Sequence, residues 1–169
     1  MNKDKQRSWD ISFLEVAKII ANHSTCASIQ VGCVIVRDKR IISIGYNGTP
    51  AGVRPHCNEK FNKCDLNYGA WVPEMHHIVD RNKKEHFKFQ QANEIHAEIN
   101  AIAYAARETM STRNTTLYST WSPCKDCCKA IISAGIIRVV YKNKYEKDTT
   151  GLELLKKCNI PVVEINIKN

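Results

Sequence analysis

Apolar positions along the chain change period several times, and each change predicts an element. Trp9, Phe13, Val16, Ala17 and Ile20 recur at helical spacing, which predicts a first helix with Ser8 as its N-cap. Residues 31–36 and 41–44 are β-rich runs joined by the polar turn 37–40, and they read as a hairpin. The stretch 45–52, with Gly45, Gly48, Pro50 and Gly52, should end the second strand. From 50 to 93 the period dissolves. Loops of that length are usually functional or pinned. Ile95, Ile99, Ile102 and Ala106 restore a helical stripe, predicting a helix over 94–108 capped by Asn93. After it, 115–119 reads as a strand running into a helix that ends near Ala134 and Gly135. Strand 136–141, helix 152–158, stopped by Asn159 and Pro161, and strand 162–167 complete the chain. Strands alternating with helices over the last third imply parallel pairing.

Two short stretches inside this pattern carry chemistry. His96 and Glu98 open the helix at 94–108, and Cys124 and Cys127 follow Pro123. Cysteines three apart share a face of one helical turn. Pro123 suits the first helical position, and the positive end of that helix favours thiolates, the metal-binding form. Two thiolates and a neutral imidazole from His96 make a Zn²⁺ site with its fourth position open, as a catalytic zinc requires. Glu98 lies two residues from a ligand at the helix tip, where side chains lean toward the start, so it is read as a proton shuttle rather than a ligand. A closed structural zinc site has no use for it. A further group, His56, Cys57, Cys64, His76, His77 and His86, lies in the aperiodic stretch. These read equally well as a second, structural metal site or as ordinary buried side chains.

Composition narrows the setting. At 169 residues one domain is the default, here 1–169 with a long insertion at about 50–93. No apolar run approaches a membrane span. Residues 1–7 lack the apolar core of a secretory signal. Eight cysteines with metal-type spacing and no such signal argue for reduced thiols in a cytoplasm. The formal net charge of +8 favours anions. The basic residues are spread out, however, and the densest patch, Arg81, Lys83, Lys84 and Lys88, reads as solvated surface. The charge therefore suits a phosphorylated small substrate, with nucleic acid not expected.

His96-Ala97-Glu98 paired with Pro123-Cys124-x-x-Cys127 resembles the signature of zinc-dependent nucleobase deaminases. Adding Val31, Gly32, the loop Gly45, Tyr46, Asn47, Gly48, Thr49, Pro50, Ala51, Gly52 and a Cys/His-bearing insertion, nearly the whole chain is similar to the cytidine deaminase superfamily. Within it, the loop and insertion resemble the deoxycytidylate (dCMP) deaminases, including phage-type members. The resemblance implies a three-layer α/β/α fold with a central mixed five-stranded sheet. It implies hydrolysis of dCMP to dUMP and ammonia for thymidylate supply. His96, Cys124 and Cys127 would bind the catalytic zinc and Glu98 would move protons. Asn47 matches the position that holds the sugar hydroxyl, and the Ala97 backbone N–H would meet the pyrimidine carbonyl. Tyr145 matches a tyrosine near the phosphate, and Thr49 and Ser122 join this substrate set. A second zinc is implied at Cys26, His86 and Glu94, with His56 or Cys57 as fourth ligand. The family also implies a hexamer, activated by dCTP and inhibited by dTTP, with Mg accompanying a bound effector. Its regulatory site would use Tyr46, Gly48, Asn100, Tyr104 and Arg107.

Other readings compete. Trp121-Ser122-Pro123-Cys124 also resembles the motif entrance of polynucleotide deaminases, but no basic run lies near it. A tRNA adenosine deaminase fits poorly with the long insertion. A non-catalytic zinc-stabilised binding module leaves Glu98 without a purpose.

Overall fold

The computed structural model describes residues 3–61, 76–145 and 149–166, the side chains of 76–81 excepted. Cys64, the side chains of His76, His77 and Arg81, and the end of the strand expected at 162–167 lie outside the described residues. Five strands form one mixed sheet: β1 (Gly32–Arg37), β2 (Arg40–Tyr46), β3 (Thr116–Trp121), β4 (Arg138–Asn143) and β5 (Val162–Glu164). Their order is β2-β1-β3-β4-β5. β1 pairs antiparallel with β2 and β3, while β3–β4 and β4–β5 are parallel.

Helices cover both faces, giving the three-layer architecture. On one face α1 (Lys3–Ala21) buries Phe13, Leu14 and Ala17 against Val34, Val36, Tyr118 and Val140. On the other, α4 (Ala97–Arg107), α5 (Lys125–Ser133) and α6 (Thr150–Lys157) cover Cys33, Ile35, Leu117 and Val139. β1 is therefore buried on both sides, which is why its sequence is a continuous apolar run rather than an alternating one. Two glycines set how closely the helices approach. A Cβ at Gly32 would lie 2.0 Å from the Ala17 carbonyl oxygen of α1, and one at Gly45 would lie 2.3 Å from that of Ala97 in α4.

Several expectations are corrected. α1 starts by Lys3, so Ser8 is interior rather than a cap. Lys5, Gln6 and Arg7 are good helix formers, and Gln6 hydrogen-bonds Asp10 one turn on. β2 continues through Gly45 to Tyr46, because Gly45 serves close packing rather than a turn. The aperiodic stretch contains α2 (Cys57–Lys60) and an 18-residue helix, α3 (His76–Asn93). Asn93 therefore ends α3 instead of capping α4, whose N-cap is His96. In α4 the buried stripe is Ala97, Glu98, Ala101 and Ala105, not the isoleucine stripe ending in exposed Ala106. The helix backbone sits over Gly45, so alanines face the sheet. Pro123 lies one residue outside α5, because Cys124 is the N-cap.

Candidate active site and metal centres

β3 runs its C-terminal end toward α5, and α4 lies across the same face of the sheet. This brings the N-terminal ends of α4 and α5 together. His96 and Cys124 are their N-caps, both with extended backbone, and Cys127 sits one turn into α5. His96, Cys124 and Cys127 offer ligand atoms that all lie within 4.8 Å of one another. The sulfurs of Cys124 and Cys127 are 3.4 and 3.3 Å from His96 Nδ1. Glu98 points into the same place: its Oε2 is 3.4 Å from Cys127 Sγ, and it is only 4% exposed.

These groups perturb one another strongly. A hydrogen bond from Cys127, helped by His96, pulls the Cys124 thiol down to about 4 against the opposing effect of burial. The Cys127 thiol is pushed up because it donates to Cys124 and is buried beside Glu98. Hydrogen bonding to Cys124 lifts His96 to about 9. Burial raises Glu98. Two sulfurs and one ring nitrogen converging at partly positive helix ends are a donor set suited to zinc, with the carboxylate beside it.

A second cluster joins the insertion to the body. Cys26, Cys57 and His86 are buried and offer ligand atoms within 4.8 Å of one another. The sulfurs collect N–H donors: Gln90 Nε2 and the Ser28 amide on Cys26, at 3.0 and 3.5 Å, and the Ala27 amide on Cys57, at 3.3 Å. Both ring nitrogens of His86 and Oε1 of Glu94 are buried with no hydrogen-bond partner among the described residues. Burial lowers His86. Buried polar atoms left unpaired are costly, and a metal ion would satisfy this set. Of the two candidates for the fourth ligand, Cys57 is in the cluster. His56 and Glu94 are not, though Nδ1 of His56 is also buried with no hydrogen-bond partner among the described residues.

Comparison with known proteins places this arrangement. The model of the cytidine and deoxycytidylate deaminase zinc-binding region matches residues 7–143. The chain belongs to this deaminase family. It is 37% identical to the deoxycytidylate deaminase of Enterobacteria phage T4, over 92% of this chain and 89% of that one. It is 36% identical to the deoxycytidylate deaminase of Saccharomyces cerevisiae, over 92% of this chain and 44% of the yeast protein. Among solved structures it resembles the dCMP deaminase of cyanophage S-TIM5 in complex with dCMP and dUMP. That likeness has a TM-score of 0.70 and 27% identity over 98% of this chain and 99% of that one.

The remaining candidate residues of this family member fall into two sets. Asn47 is 7% exposed and largely committed to the scaffold. Its Oδ1 accepts from Ser24 Oγ and the Val31 amide, both at 2.7 Å, and its Nδ2 donates to the Ile29 carbonyl at 2.9 Å. Among the described residues Nδ2 makes no second hydrogen bond. Thr49 Oγ1 is buried without a partner among the described residues. Ala97 is the first residue of α4, where backbone N–H groups lack helical acceptors. Ser122 and Tyr145 are tied together, the Tyr145 amide donating to Ser122 Oγ at 2.8 Å. The second set lies along α4. Asn100 Nδ2 donates to the Tyr46 carbonyl at 3.0 Å, and Arg107 lies 4.3 Å over the exposed Tyr104 ring while pairing with Glu108. Gly48 is bridged to Ile95, linking the loop to the start of the helix. Sequence reasoning did not single out Ser119, a buried serine in β3 whose hydroxyl donates to Glu98 Oε1 at 3.4 Å. Its position on the same strand face as Leu117 was the available signal.

Proposed function

We propose that the protein hydrolyses dCMP to dUMP and ammonia. The observation that carries this is the meeting of His96, Cys124, Cys127 and Glu98 at two helix ends. His96, Cys124 and Cys127 would hold a Zn²⁺ ion, which would supply Lewis acidity and lower the pKa of a bound water to about 7. Glu98 Oε2 accepts a proton from the attacking water and passes it to N3 of the pyrimidine as oxygen bonds to C4. It then carries the second proton to the amino nitrogen, which leaves as ammonia while the C4 carbonyl forms. Burial raises Glu98 above the ordinary carboxylate value, which suits it to take up and release a proton. The Ala97 amide orients the ring carbonyl, Asn47 the sugar hydroxyl, and Tyr145 the phosphate, with Thr49 and Ser122 shaping the pocket. The deoxycytidylate names of relatives similar over most of the chain support this substrate.

Residues 1–169 form one deaminase domain in this reading, whose insertion at about 50–93 is pinned by a second, structural zinc. Its ligands are Cys26, Cys57, His86 and Glu94, and the orphaned nitrogens of His86 support it. dCTP with Mg activates and dTTP inhibits through Tyr46, Gly48, Asn100, Tyr104 and Arg107, in a hexamer working in a cytoplasm, the host's for a phage-encoded chain. Among the described residues no helix is long and apolar enough to cross a membrane.

Ammonia release from dCMP, CMP, deoxycytidine, cytosine and a single-stranded oligonucleotide tests the assignment. dCMP is expected to be turned over most efficiently. Preference for the oligonucleotide would overturn the substrate, and silence on all five would overturn the enzyme.

A further inference from the structure

Glu98 needs both of its oxygens placed: one facing the reacting atoms, the other fixed so that the first does not wander. Oε2 faces Cys127 and the metal cluster. Oε1 faces the sheet, where β3 presents Ser119. The environment there is otherwise hydrophobic. Leu117, two residues earlier on the same strand face, is in the core with Cys33, Ala97 and Ala101. Ser119 pairs with Cys33 of β1 and with Tyr141 of β4, and is itself fully buried at 0% exposure. A serine at such a position must satisfy its hydroxyl. Among the described residues its one hydrogen bond is to Glu98 Oε1. The contact is long, as bonds to catalytic groups often are before substrate binds. Strand residues are also more rigid supports than loop residues.

We infer that Ser119 is a positioning residue for deamination: its hydroxyl anchors the inner oxygen of Glu98 from the sheet and aims the outer one at the substrate. Among the described residues the Ser119 hydroxyl makes no hydrogen bond to the metal ligands or to the substrate set, so it acts on the chemical step and not on nucleotide affinity. The inference rests on the function proposed above.

The test is Ser119→Ala in the zinc-loaded full chain. Four quantities are measured: kcat and KM for dCMP, zinc per chain, Tm, and the affinity of a nucleotide analogue with a tetrahedral hydroxylated carbon at C4. Such an analogue engages the proton-carrying carboxylate as the transition state does. The expected result is a fall in kcat of about tenfold, the low end for a hydrogen bond to a charged group. Analogue affinity should weaken by a similar factor, with KM, zinc content and Tm unchanged. Unchanged kcat overturns the inference. So does a kcat loss that follows lost zinc, lost fold or a raised KM, which marks a packing role. Wild-type protein inactive on dCMP overturns the proposed function itself, and is told apart because it appears before any substitution is made.

Discussion

Gly45→Ala is a perturbation whose size can be read from the structure. An added Cβ would lie 2.3 Å from the Ala97 carbonyl oxygen and 2.5 Å from the Ala101 amide nitrogen, both backbone atoms of α4. Ordinary van der Waals contact begins at 3.4 Å, so α4 must retreat by about 1 Å. Overpacking of this kind costs about 1–3 kcal/mol, or about 2–12 °C in Tm for a chain of this size. The larger effect falls on chemistry, because α4 carries His96 and Glu98 at its start, and a misplacement of about 1 Å can cost about a hundredfold in rate. Gly32→Ala is the matched control. Its Cβ would meet Ala17 and Ala21 of α1 at 2.0 and 2.5 Å, but α1 carries none of the candidate site residues. Differential scanning calorimetry and initial-rate ammonia assays on both variants should show comparable losses of Tm. Only Gly45→Ala should lose kcat far beyond its unfolded fraction. Equal kcat losses in the two variants, or wild-type kcat in Gly45→Ala, would refute the idea that sheet-to-helix spacing sets the active site.

Other expectations follow from the same geometry. Asp10, buried and bound by Arg138, Tyr118 and Gln6, is raised by burial but lowered further by those hydrogen bonds, for a net depression. Its contribution is therefore present above the ordinary carboxylate range and lost as pH falls through its folded value. Asp10→Asn should cost about 3 kcal/mol at pH 7, and denaturant titrations should show the gap to wild type closing below about pH 4. At the active centre His96 is held charged up to about 9, and zinc must displace that proton. Competition with a chelator should thus show zinc affinity rising with pH toward that value, and an affinity flat from pH 6 to 9 would contradict it. Cys57→Ser should lower metal content from about two zinc ions per chain to about one and lower Tm, while His56→Ala keeps both ions; the reverse pattern would restore His56 as the ligand. If the proposed regulation holds, Arg107→Ala should leave basal dCMP turnover intact and abolish the shift of the saturation curve by dCTP, measured by titrating dCMP at fixed dCTP.

The alternation of strands and helices after residue 115 was legible in the sequence because β3 and β4 are short runs buried on both faces, while α5 and α6 each turn one apolar face to the sheet. The metal motif was legible because spacing alone brings Cys124 and Cys127 onto one turn. α3 was not legible. Its one fully buried described side chain is His86, and Phe87 beside it is 59% exposed, so it has no apolar period to read. What it buries is a polar cluster whose members come from residues 26, 57 and 86, and no local pattern connects them. Which of His56 and Cys57 faces the cluster is one residue of phase, and the start of α2 turns Cys57 toward Cys26 and His86. The stripe of α4 was misread for a related reason. Large isoleucines dominate a hydrophobic pattern, yet a helix seated on Gly45 turns its alanines inward.

The central claim is that one carboxylate moves protons beside a Cys/His metal centre. It is tested most directly by zinc-loaded Glu98→Gln assayed for ammonia release from dCMP alongside its zinc content. The expected result is full zinc, unchanged Tm and a kcat reduced by about a thousandfold or more. A Glu98→Gln protein that keeps its zinc and still releases ammonia at the wild-type rate would contradict the account.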